Sequence, residues 1–144
     1  MDGIFNSVHL FLDIYRLPIY YIDKRYKGGD EIELDRSLVS GSMAMLVLKL
    51  LEDGDKYGYQ MIDELRRRSD DTFHLKAGTL YPLLHGLEEK GLVTAYEGEA
   101  AAGKPRRYYR LTKQGHGALR EKETAWNAYA QAVGRVLRGG ACLA

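Results

Sequence analysis

The chain has 144 residues, about one domain's worth and enough for a single core with one appended element. Its 21 Lys and Arg stand against 20 Asp and Glu, a net charge of +1, so bulk charge argues neither for nor against nucleic acid or an anionic membrane. A lone Cys142 rules out an intrachain disulfide and a thiolate zinc cluster, which fits a reducing, cytoplasmic setting.

The first 30 residues are crowded with tyrosine and isoleucine (IFNSVHLFLDIYRLPIYYI) and poor in helical period. His9, Asp13, Arg16 and Pro18 interrupt the apolar run, which falls short of the roughly 18 residues that a membrane span needs. Asp2 stands where a secretory leader carries a basic residue, and no small-residue cleavage site follows. The segment closes on the breaker Lys27-Gly28-Gly29-Asp30, which marks a boundary. Two accounts of residues 1–30 stay open. They are a genuine N-terminal arm, or they are translated leader: Lys-Gly-Gly-Asp can be encoded by a purine-rich ribosome-binding site of the AAAGGAGGTGA kind, with a non-ATG start just downstream at Ile32 or Leu34.

From Ser40 the signals become regular, and residues 31–112 read as one domain. Ser40-Gly41-Ser42 offers an N-cap, and MAMLVLKLLEDG, apolar nearly all round and stopped at Gly54, reads as a buried helix. After the turn Gly54-Asp55-Lys56, YGYQMIDELRRRS reads as a short surface helix with Tyr59, Ile62 and Leu65 (and Met61 beside them) on one side. Its last turn carries Arg66, Arg67 and Arg68, cations suited to the negative end of a helix dipole. In LKAGTLYPLLHGLEEKGLV, Leu80, Leu83, Leu84 and Leu87 lay an apolar stripe along a third helix that ends at Gly91. LVTAYEGE and PRRYYRL then read as two strands of a hairpin joined through residues 100–104, with Tyr109 and Leu111 facing one way and Tyr108 and Arg110 the other. Thr112 caps a long final helix over residues 113–144, with Leu119, Trp126, Tyr129, Val133, Val136 and Leu137 at helical spacing.

Three helices followed by a hairpin is the order of a winged helix, the helix-turn-helix variant in which a β-ribbon flanks the recognition helix. With the leucines inward, the third helix turns Gly78, Pro82, His85 and Glu89 outward, with Thr79 and Tyr81 on the flanks. Pro82 leaves the Gly78 carbonyl without its helical donor, a loss tolerated where water or a partner is available. Gly78 lets a phosphate or groove wall approach the backbone, and the free N–H groups of the first turn suit a phosphate.

The blocks GDKYGYQMIDEL, LKAGTLYPLLHGLEEKGLV and GKPRRYYRLTKQG, in that order, resemble the PadR-like family of transcriptional regulators over roughly residues 40–117. The resemblance implies a mainly α fold with a small β-hairpin: a winged helix plus a long C-terminal dimerisation helix, acting as a homodimer on a palindromic operator in double-stranded DNA. It places Lys76, Ala77, Thr79, Tyr81, Pro82 and His85 on the DNA-facing helix and Lys104, Arg106 and Arg107 on a wing that grips the backbone. It also implies a repressor.

The charge pattern agrees, since Lys104, Arg106, Arg107, Arg110 and Lys113 form a basic run with no acid among residues 104–113. Phosphate contacts of that kind would position the module, while Thr79, Tyr81 and His85 would meet base edges. Trp126, in AWNAYAQAVGRVL, has two readings. It is a dimer-core aromatic alongside Leu119, Tyr129, Val133 and Leu137, or it lines a cavity for a planar aromatic effector. The second reading follows from resemblance to the multidrug-sensing PadR-like regulators, although Ala130 stands one turn after the tryptophan in place of a carboxylate that would recognise a cationic drug. His9, His74, His85 and His116 have no ligand spacing, and no nucleophile and base pair up, so neither a metal, a cofactor nor an enzyme is expected. The rival from another class is a winged helix that binds proteins without DNA.

Overall fold

The computed structural model of the protein describes residues 35–99 and 104–139. Residues 1–30, on which the arm and leader readings turn, and the hairpin tip at residues 100–103 lie outside them. In chain order the elements are α1 (Arg36–Glu52), β1 (Lys56–Tyr57), α2 (Gly58–Arg68), α3 (Ala77–Glu89), β2 (Val93–Gly98), β3 (Arg106–Leu111) and α4 (Lys113–Leu137). Residues 37–123 form one compact unit, and α4 continues beyond it.

Helix α1 is the central rod of that unit, with Met43, Val47, Leu48, Leu50 and Leu51 all buried. It starts before the serines expected to cap it. Ser40 and Ser42 lie inside the helix and donate back to carbonyls of the preceding turn, Ser40 Oγ to Ser37 at 3.3 Å and Ser42 Oγ to Val39 at 3.2 Å. A hydroxyl satisfied in this way has no need to leave the helix, which explains why a cap signal was present without a cap. The rod ends at Gly54, whose φ of +143° is open to glycine alone.

The next segment departs most from the sequence reading. Lys56 and Tyr57 form a short strand, and α2 starts one residue later than the helical pattern suggested. Lys56 opposes Tyr109 and Tyr57 opposes Tyr108, making a three-stranded antiparallel sheet in the order β1-β3-β2. Helix α2 buries Gly58, Met61 and Leu65, spaced i, i+3, i+7. Tyr59, assigned to the inner stripe, instead stands 64% exposed. It lies about 200° around the helix from Met61, so both cannot share the core face.

Asp70 and Asp71, at φ 50° and 62°, turn the chain sharply after α2. Helix α3 then packs Leu80, Leu84 and Leu87 into the core. Truncating one such leucine to alanine costs about 2–5 kcal/mol. Its C-terminus closes in a Schellman turn: Gly91, at φ +74°, donates to Glu88, and Leu92 donates to Leu87, both at 2.9 Å. Leu92 and Leu87 are both buried, so the same turn seats the start of β2.

Strands β2 and β3 pair from Val93↔Leu111 to Gly98↔Arg106. Tyr109 and Leu111 are buried and Arg110 is exposed, the two-faced alternation expected of the ribbon. Thr112 caps α4: its hydroxyl accepts from the Gly115 N–H at 2.9 Å and donates to the Gly91 carbonyl at 2.7 Å. Gly115 and Leu119 belong to the buried part of this unit, Gly115 lying against the Leu92 carbonyl. Together α2–α3 and β2–β3 make a helix-turn-helix with a wing. No described helix is long and apolar enough to cross a membrane.

Candidate nucleic-acid interface

Two surfaces carry the residues singled out in the sequence. On α3, the leucine seam leaves Gly78, Pro82, His85 and Glu89 as an exposed row, with Thr79 and Lys76 exposed beside its N-terminal end and Ala77 half-buried. Lys76 is the N-cap in an extended conformation, and no side chain caps the first turn. Pro82 lies inside the helix, as the spacing required. Glu89 puts a negative charge at the far end of the row, so the two N-terminal turns are where a polyanion is tolerated.

Tyr81 is placed differently from its neighbours. Its ring is half-buried and packs against the core. Its hydroxyl end covers Gly58 so closely that a Cβ there would lie 2.8 Å from the ring carbon bearing the hydroxyl. The tyrosine therefore struts α3 against the start of α2, and the glycine permits that approach. No helical periodicity could have revealed this, because the contact joins residues 23 positions apart.

The sheet sorts the wing's basic residues by face. On the core side, Arg107 leans over the Tyr109 ring at 5.9 Å and meets Glu88 of α3, with 3.4 Å to each carboxylate oxygen. On the outer side, Tyr57, Tyr108 and Tyr96 form a row across the three strands, Tyr108 meeting Tyr57 edge-on at 5.6 Å and stacking on Tyr96 at 5.7 Å. The Arg106 guanidinium covers the Tyr57 ring at 4.4 Å. That stacking leaves the guanidinium's edge N–H groups available to a phosphate.

Arg110, part of the basic run, is already occupied. Its Nε and Nη2 donate to Asp55 at 3.0 and 2.8 Å, and the Tyr96 hydroxyl donates to the same carboxylate at 2.6 Å. The guanidinium also lies 5.1 Å over the Tyr96 ring. The Arg110 hydrogen bond chiefly holds the Asp55 carboxyl below its ordinary value, with burial opposing and Tyr96 assisting. The Tyr96 hydroxyl's own hydrogen bond to Asp55 pushes its phenol up, with Arg110 opposing. Among the described residues, Lys104 and Arg106 have no carboxylate within ion-pair distance, which makes them the wing's least committed cations. Asp55, Glu88 and Tyr57 were not singled out in the sequence. Asp55 sat in a turn, Glu88 in a helix tail and Tyr57 in a helix start, and a strand of two residues has no period to detect.

On α4, beyond Leu119, Trp126 is half-buried, while Tyr129 is 63% exposed, Val136 78% and Leu137 71%. Val133 also reaches the surface.

A helix-turn-helix with a basic wing defines the class as a winged-helix regulator. The model of the PadR-like transcriptional regulator family matches residues 47–121. The chain is 33% identical over 98 residues to the transcriptional regulator Rv3488 of Mycobacterium tuberculosis, covering 68% of this chain and 88% of that one. A PadR family transcriptional regulator from Eggerthella lenta has a solved structure that superposes with a TM-score of 0.62 at 38% identity, over 70% of this chain and 86% of that one. A transcriptional regulator from Clostridium thermocellum superposes at 0.65 with 30% identity, over 69% and 96%. The chain belongs to the PadR-like family of transcriptional regulators.

Proposed function

We propose that the protein is a sequence-specific DNA-binding repressor that acts as a homodimer on a palindromic operator. The observation that carries this reading is the sorting of α3: a buried leucine seam, and opposite it an exposed, uncapped N-terminal face of Lys76, Gly78, Thr79, Pro82 and His85. That face is thin enough to enter a major groove, and its free N–H groups and Lys76 suit a phosphate at the groove edge. Thr79 and His85 read base edges there, while Ala77 and the Tyr81 ring edge supply apolar contact such as a thymine methyl accepts. Lys104, Arg106 and Arg107 of the wing grip the backbone beside it. The exposed stripe of α4 joins two copies, since Tyr129, Val133, Val136 and Leu137 form an apolar patch that water covers poorly. Trp126 belongs to that stripe, and quenching of its fluorescence by planar dyes would add an effector cavity to the dimer.

The test is fluorescence anisotropy over a range of salt, with a duplex selected by the full-length chain from a random pool. Binding by the wild-type chain should weaken steeply with salt, because each neutralised phosphate releases counterions. Arg106→Ala with Arg107→Ala should lower affinity for all duplexes alike and reduce the log–log salt slope by about 1–2. An unchanged slope counts against the wing contact. If no duplex binds, the protein-interaction reading takes its place.

A further inference from the structure

We infer that Asp55 is a positioning residue that sets the wing against the helix-turn-helix, acting through Arg110 and Tyr96 and touching no DNA itself. The inference rests on the DNA-binding reading above.

Asp55 comes immediately before β1, and β1 runs without any linker into α2, the first helix of the helix-turn-helix. Strand β1 pairs with β3 at only two positions, Lys56↔Tyr109 and Tyr57↔Tyr108. So short a ladder holds a strand weakly by its backbone alone. Continued one step, the same register sets Asp55 against Arg110 on the outer face. The carboxylate accepts from Arg110 twice and from Tyr96 once, so one side chain ties the root of α2 to β3 and β2 together. Charge-assisted and forked bonds of this kind fix orientation as well as distance.

Placement of the charges argues against a direct role in binding. Arg110 lies four residues along β3 from Arg106, about 13 Å in an extended strand. That exceeds the screening length of about 8–10 Å at ordinary salt. The Asp55–Arg110 pair is also nearly neutral as a unit. Its influence on bound DNA therefore passes through where it holds Arg106 and Lys104, and charge contributes little.

The test uses two substitutions that change charge in opposite directions. Asp55→Asn deletes a negative charge and releases Arg110, whereas Arg110→Gln deletes a positive one. If the pair positions the wing, both variants lose affinity for the selected duplex, roughly threefold to tenfold, and the double variant binds no worse than either single one. Both also flatten the salt slope toward that of Arg106→Ala with Arg107→Ala, and Asp55→Glu restores part of the loss. Opposite effects, with Asp55→Asn tightening binding and Arg110→Gln weakening it, would overturn the inference in favour of Arg110 as a direct phosphate contact. Equal affinities in all variants would overturn it as well. If Asp55→Asn melts below the assay temperature, Tyr96→Phe, which removes only one hydroxyl from the same carboxylate, is expected to give a smaller loss of the same kind, and no loss sinks the proposal. Failure of the wild-type chain to bind any duplex would instead remove the DNA-binding reading and this inference with it.

Discussion

Glu88 sits on α3 and holds Arg107, one of the three wing cations proposed to grip the DNA backbone, at 3.4 Å from both carboxylate oxygens. The partners are 52% and 35% exposed, and a pair this open contributes little to stability. Its effect falls on binding: Arg107 must leave or share Glu88 to reach a phosphate, and the acid itself repels the duplex. Glu88→Gln should leave the melting temperature unchanged, tighten binding to random-sequence DNA, and steepen the log–log salt slope by up to about 0.9. An affinity for random-sequence DNA equal to the wild type's would show that Glu88 does not compete with DNA for Arg107. Tyr81 makes the complementary point, because a residue on the helix proposed to read DNA also serves as its strut, and Gly58 is the small residue that admits it.

At the scale of elements, the start of α4 carries the most stringent packing. A Cβ on Gly115 would strike the Leu92 carbonyl, and a backbone atom at the start of a strand cannot swing aside as a side-chain tip can. Helix propensity favours alanine over glycine by about 1 kcal/mol, yet Gly115→Ala should destabilise the unit, by about 1–3 kcal/mol, because overpacking outweighs propensity here. A denaturant midpoint above the wild type's would refute this. The helices whose apolar residues repeat were legible in the sequence, and so were the Gly91 stop, the Thr112 cap and the facing of Tyr109 and Leu111. Several of the misses trace to a distant partner that decided the outcome, and the others to where a helix begins and which face it turns inward. Lys56 and Tyr57 became a strand because β3 offered them a ladder, and Tyr59 lost its inner place because Gly58 and Met61 fit against the core. Ser40 and Ser42 lost their capping role because the helix continued upstream. On the wing, the run of cations was legible but its division was not, since Asp55 and Glu88 reach Arg110 and Arg107 from 55 and 19 residues away.

For the whole molecule, affinity for DNA depends on how many reading heads engage at once. If Tyr129, Val133, Val136 and Leu137 join two copies, the second half-site is bound at high effective concentration, which adds on the order of a hundredfold or more to apparent affinity. Val136→Glu with Leu137→Glu should therefore sediment as a monomer and bind a palindromic duplex about as weakly as the wild type binds a single half-site. A dimer that survives these charges would place the interface elsewhere. Tyr57 ends β1 and Gly58 begins α2, with no residue of slack between sheet and helix. Tyr81 braces α3 against that joint and Glu88 of α3 holds Arg107 of the ribbon, so ribbon and α3 turn as one piece. A signal that loosened such a pair from its operator would have to alter the spacing between the two copies, since a single head has little freedom to change its own shape.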